Sequence, residues 1–135
     1  MGKYNELRII VAGSRDFNDF KLLFKTVESI KEQIIINDCT DVSKVRIISG
    51  TARGADKLGE RYADMVGLPV KRFYADWDNL GKRAGCVRNA EMAKYASGDG
   101  CYGALIAFWD GKSKGTKHMI DLAKKYGLEV DVMNF

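Results

Sequence analysis

Cysteine and histidine are scarce in this chain of 135 residues. It has three cysteines and one histidine, His118. Cys39, Cys86 and Cys101 are far apart, and no two form a Cys-x-x-Cys pair. A structural zinc site needs four closely arranged Cys/His ligands, so none is expected, and no metal-binding residue is assigned. The three thiols are expected to be reduced and mostly buried. No apolar run approaches the ~20 residues of a membrane span, which excludes a membrane-embedded role. The first residues, Met1-Gly2-Lys3-Tyr4-Asn5-Glu6, lack the apolar core and cleavage site of a secretory signal, so a cytoplasmic protein is expected. There is no internal repeat, low-complexity tract or linker, and residues 1–135 read as a single domain.

The composition is that of an ordinary globular domain, with 46% hydrophobic and 30% charged residues. The net charge of +4 fits an anionic ligand but carries little weight alone. Short β-rich runs alternate with helical patterns. Strands are predicted over residues 7–12, 45–49, 70–74, 102–109 and 128–132. The charged members of the third strand place it at an exposed edge. The first helix is capped near Asn18 or Asp19, and Phe20, Leu23, Phe24, Val27, Ile30 and Ile34 share one face at helical spacing. Residues 37–41 form a polar connection. A second helix begins near Arg53 or Gly54 and stops at Gly67 and Pro69. Residues 75–82 read as a long loop, 84–95 as the third helix and 116–126 as the fourth. Strands joined through helices imply right-handed parallel crossovers. The expected fold is α/β, a Rossmann-like doubly wound three-layer sandwich with a five-stranded, mainly parallel sheet in the order 3-2-1-4-5.

In such a sheet every strand-to-helix loop lies at one edge, where ligands bind. The first loop, Gly13-Ser14-Arg15-Asp16, lets a ligand approach the backbone at Gly13 and offers the Ser14 hydroxyl and amide. Its Arg15 suits a phosphate. The second loop sets Gly50, Thr51, Arg53 and Gly54 before a helix start, whose unpaired amides and positive dipole end cradle anions. Asp56 favours that helix end whatever binds, which stands at least level with a role on ribose or metal. The third loop supplies Asp76, Trp77 and Lys82, and Arg88 and Asn89 follow in the next helix. Trp77 can stack on a base or simply pack on its neighbour. The fourth loop runs from Asp110 through Lys112, Ser113 and Lys114 to Gly115 and Thr116. It has the logic of a phosphate loop without matching Walker A, and the first loop lacks GxGxxG. His118 reads as a surface residue.

These motifs together, Val11-Ala12-Gly13-Ser14-Arg15-Asp16-Phe17, Ser49-Gly50-Thr51-Ala52-Arg53-Gly54-Ala55-Asp56, Ala75-Asp76-Trp77 with Gly81-Lys82 and Ala84-Gly85, Arg88-Asn89 with Met92, and Gly115-Thr116, resemble the SLOG superfamily. Within it they are similar to the YspA-type, cpYpsA-related branch of bacterial and phage proteins. The resemblance spans nearly the whole chain. It implies a Rossmann-like fold and a nucleotide-type ligand, with Gly13, Ser14 and Arg15 in the first ligand loop and Gly115 and Thr116 in the phosphate loop. Relatives include the Lonely Guy phosphoribohydrolases and a group of DNA-processing proteins, and many are dimers, which hints at a homodimer. The phosphoribohydrolases carry a catalytic Glu three residues after the Thr of a Gly-Gly-x-Gly-Thr loop. Here that position is Met119, and Lys112-Ser113 replaces the leading glycines.

The leading expectation is therefore a nucleotide-binding sensor or processing domain. The alternatives are a nucleotide hydrolase and a single-strand nucleic-acid binder. A hydrolase would use Asp16, Asp56, Asp76 or Asp110, with Mg2+ accompanying the nucleotide; nothing in the sequence selects among these aspartates.

Overall fold

The structure is a computed structural model that describes residues 4–38 and 42–135. Residues 1–3, Cys39 and the end of the polar connection lie outside the described residues. Five strands, β1 (Leu7–Gly13), β2 (Val45–Ser49), β3 (Val70–Arg72), β4 (Tyr102–Trp109) and β5 (Glu129–Asn134), pair in parallel in the order β3-β2-β1-β4-β5. The fold is the Rossmann-like doubly wound sandwich that the strand–helix alternation predicts.

Residue alternation along the central strands explains the two-sided core, because successive side chains leave a strand on opposite faces. Leu7, Ile9 and Val11 of β1 join Ile106 and Phe108 of β4 on one face. Helices α1 (Phe20–Asn37) and α2 (Ala55–Val66) cover that face with Leu23, Val27, Ile34, Tyr62 and Ala63. Ile10 and Ala12 join Ile48, Leu105 and Ala107 on the other. There, two later helices pack Met92, Ala93, Ala96, Met119, Ile120 and Ala123.

Asp19 caps α1, its carboxylate accepting the Leu22 amide at 3.0 Å. Asp19→Ala is expected to cost about 1 kcal/mol, the usual worth of such a cap, read as a shift in the urea midpoint.

Several details differ from the sequence reading. Strand β3 stops at Arg72, short of the predicted 70–74, and β5 runs over Glu129–Asn134 rather than 128–132. The stretch expected as a loop holds a short helix α3 (Trp77–Leu80), because Asp76 caps it by accepting the Asn79 amide at 3.3 Å. A 3-10 turn (Gly81–Arg83) then leads into α4 (Ala84–Ser97). The last helix, α5 (Lys114–Lys125), starts earlier than Thr116, because the Ser113 hydroxyl caps it. Neither thiol among the described residues is fully buried, against the expectation: Cys86 is exposed and Cys101 is half-buried. Cys86 sits on the outer side of α4, whose core face belongs to Asn89, Met92, Ala93 and Ala96. Among the described residues, no helix is long and apolar enough to cross a membrane.

Candidate functional site

Strand order reverses between β1 and β4, so the loops that follow these strands part beside each other at the carboxyl edge. Gly13 makes this junction tight. Its φ is +155°, and a Cβ there would stand 2.2 Å from the Phe108 carbonyl oxygen. Gly54 does the same between the β1–α1 and β2–α2 loops. With φ at +80°, its Cβ would meet the Ser14 and Arg15 carbonyl oxygens at 2.5 Å. Ser14 is buried and ties the first loop to the fourth. Its amide donates to Phe108 O at 2.9 Å, and its hydroxyl accepts the Asp110 amide at 3.2 Å.

The second loop is held from below. Ser49 Oγ donates to Glu60 Oε2 at 2.6 Å and accepts the Thr51 amide at 3.0 Å. Thr51 has a φ of 66°, uncommon for a non-glycine residue and often found at functional sites.

A groove opens where these loops meet α4 and α5. Part of it is a cleft of about 90 Å³, lined among others by Gly13, Arg15, Asp56, Arg88, Asn89, Gly115 and Thr116. A wider pocket of about 420 Å³ adjoins it, with Gly50, Thr51, Arg53, Tyr74 and Trp77. A third, of about 230 Å³, reaches Lys82, Cys86, Lys114 and His118. Arg15 and Arg88 line all three. They make one continuous basic groove out of the three spaces.

Arg88 is held in place. Its Nη1 donates to Gly50 O at 2.8 Å and its Nε to Asn89 Oδ1 at 3.3 Å. Burial lowers its pKa, and the Asp56 charge opposes this. Asn89, also buried, donates to Gly115 O at 3.3 Å and pairs with His118 Nδ1 at 3.2 Å. His118 is thus half-buried at the groove rather than a free surface residue. Thr116 is buried, its hydroxyl 3.1 Å from Ser113 Oγ. At the start of α5 the Thr116 amide donates to Ser113 Oγ at 3.4 Å and the Lys117 amide to Ser113 O at 3.1 Å, which leaves the Lys114 and Gly115 amides without a partner in the helix.

Other sequence candidates do not line the groove. Asp16 is exposed outside it. Asp76 is exposed and spent on its cap, with Asn79 Nδ2 also donating to it at 2.9 Å. Asp110 accepts the Lys112 and Ser113 amides at 2.8 Å, and these bonds hold its carboxyl below the usual range. Ser14 and Gly54 shape the loops from behind. Asp56, for which the sequence supports a helix-end role equally well, is the carboxylate that does face the cleft. Burial pushes it up to about 6. Met92 and Met119 form apolar wall beside it. The sequence shows Asp56 as a carboxylate after Arg53-Gly54-Ala55, but does not show its burial.

Among the described residues, no group of three or more His, Cys, Asp or Glu side chains is placed to hold a metal ion. Mg2+ riding on ligand phosphates needs only one or two protein carboxylates, and Asp56 is the one at hand.

A family model described as the YspA, cpYpsA-related SLOG family matches residues 7–79. The chain belongs to this family. The match takes in β1, β2 and β3 with the first two ligand-edge loops and most of α3. For this SLOG protein, Arg88, Asn89 and the β4–α5 loop lie beyond the matched residues, and the fold brings them to the same groove. The "Gene 61 protein" of Mycobacterium phage D29 is 37% identical over 94 residues, covering 66% of this chain and 70% of the relative. No solved structure matches the chain significantly.

Proposed function

We propose that this groove binds a nucleotide or nucleotide-derived phosphorylated small molecule, as a sensor or nucleotide-processing domain. The observation that carries the reading is that Arg15 and Arg88 line all three pockets, two of which are also lined by Gly115 in the first turn of α5. A phosphate set between them meets two guanidinium groups and a helix N-terminus, each favourable to an anion. Trp77, half-exposed at 50%, offers a face for a base in the wider pocket. Family membership supports a nucleotide-related role.

Titration calorimetry against a panel of nucleotides tests this. Arg15 is exposed, so its removal leaves the core intact. Arg15→Ala is expected to weaken a phosphorylated ligand by roughly 1.5–3 kcal/mol, the range for charge-assisted hydrogen bonds. Unchanged affinity would show that the phosphate sits elsewhere.

Asp56 favours one second reading, a nucleotide hydrolase. A carboxyl that titrates near neutral pH suits proton transfer. Release of free base or ribose phosphate from a bound nucleotide, lost in Asp56→Asn, would establish it; binding without product returns the protein to the sensor reading.

A further inference from the structure

The phosphate reading leaves one group in the smaller cleft unexplained. Asp56 is 5% exposed in the first turn of α2. Its Oδ2 accepts the Ala52 amide at 3.1 Å. Its Oδ1 has no hydrogen-bond partner among the described residues, yet it is not sealed, since no fully enclosed side-chain oxygen among them lacks a partner. It opens into the cleft that Asp56 lines. Arg88 lines the same cleft, but no ion pair joins the two. The guanidinium is bonded to Gly50 and Asn89 instead. A carboxylate buried with a single donor is costly, and a chain that keeps one in a cleft leaves acceptor sites for a ligand to fill.

The surroundings narrow what that ligand is. It must carry an anion for Arg15 and Arg88 and, a short distance away, hydrogen-bond donors for Asp56. Ala12, Met92 and Met119 supply an apolar wall suited to the C–H face of a ring. A buried water needs about 10–15 Å³, so a cleft of about 90 Å³ admits a sugar-sized group and leaves a base to the adjoining pocket of about 420 Å³. We propose that the free oxygen of Asp56 accepts hydrogen bonds from the ribose hydroxyls of the ligand, making Asp56 the residue that selects ribonucleotides over sugars lacking those hydroxyls. This rests on the nucleotide reading of the groove.

The charged groups that act on Asp56 are Arg88 from α4, Arg15 from the β1–α1 loop and Glu60 from its own helix. Burial outweighs the two arginines and raises its pKa. Selection by the carboxylate is therefore full near pH 7.5 and fades on acidification through about 6.

The test is calorimetry on the whole chain with AMP, GMP, CMP and UMP and with their 2′,3′-dideoxy counterparts. At pH 7.5 the wild-type protein is expected to bind the preferred ribonucleotide roughly tenfold to hundredfold more tightly than its dideoxy form. The preference should shrink at pH 5 and in Asp56→Asn and Asp56→Ala. The wild-type comparison needs no variant to fold. Equal affinity for both forms overturns the proposal, as does a preference that survives intact in both variants. If Arg15→Ala then weakens both members of a pair alike, the nucleotide reading stands and only the role of Asp56 falls. Binding of none of the probes overturns both.

Discussion

A Gly13→Ala variant is expected to lose about 3–5 kcal/mol of stability, a large part of the 5–15 kcal/mol usual for a domain. Two costs combine. The backbone φ of +155° is one that side-chain-bearing residues rarely adopt, worth about 1–3 kcal/mol. The new methyl would also lie 2.2 Å from Phe108 O and 2.9 Å from Ala55 Cβ. Both belong to rigid parts, a paired strand and the first residue of α2, so overpacking adds about 1–3 kcal/mol. Relief by moving β4 would break the Ser14 amide bond to Phe108 O. Gly115→Ala is the matched control. It also lines the groove, but a Cβ there meets nothing within 4 Å and its φ is ordinary. Its stability should be unchanged or slightly raised, since alanine is the better helix residue. Urea titrations of both variants provide the comparison. Equal midpoints would show that the β1–β4 junction gives way easily and that Gly13 is not what holds it.

Asp56→Asn is expected to stabilise the folded protein at pH 7.5 by about 2–3 kcal/mol. The carboxyl is raised from its ordinary 3.8 to about 6, chiefly by burial. Folding therefore favours its protonated form. That favourable contribution is complete below about pH 4, where the acid is neutral in both states, and is lost as pH rises through about 6. At about 1.4 kcal/mol for each tenfold change in proton affinity, the loss comes to about 3 kcal/mol at neutral pH. Asparagine keeps an oxygen for the Ala52 amide and never ionises, so it escapes the loss. The two proteins should differ at pH 7.5 and converge near pH 4, as read from denaturation midpoints across that range. A variant that is less stable at pH 7.5 would mean that Arg15 and Arg88 stabilise the charge more than burial opposes it. A gain in stability on removing a side chain is what a binding residue shows when it is kept for its ligand.

Much of the fold is legible from local pattern. Apolar runs such as residues 102–109 and the helical spacing of Leu23, Val27 and Ile34 identify their elements, and each ends at a turn residue or cap that acts within a few positions. Asp76 is ambiguous in sequence because an aspartate before Trp77 serves equally as ligand residue or helix cap, and only the backbone of α3 separates the two. His118 passes for a surface residue because its partner Asn89 is on another helix. Asp56 is hidden for a related reason. A carboxylate in a first helical turn is favourable on any exposed helix, and its sequence neighbours do not reveal that α4 and α5 close over it.

Local pattern is enough to set the parallel alternation of strands and helices and the glycine- and arginine-bearing loops on the carboxyl side of the sheet. Side-chain periodicity and turn chemistry act over a few residues, so a linear reading reaches them. Which charges share a space follows from the packing of the elements. Arg15 and Arg88 meet because strand order reverses between β1 and β4, and Asp56 departs from an ordinary carboxylate because residues far along the chain exclude water from it. Burial is a property of the packed whole, and both the acidity of Asp56 and the continuity of the groove follow from it.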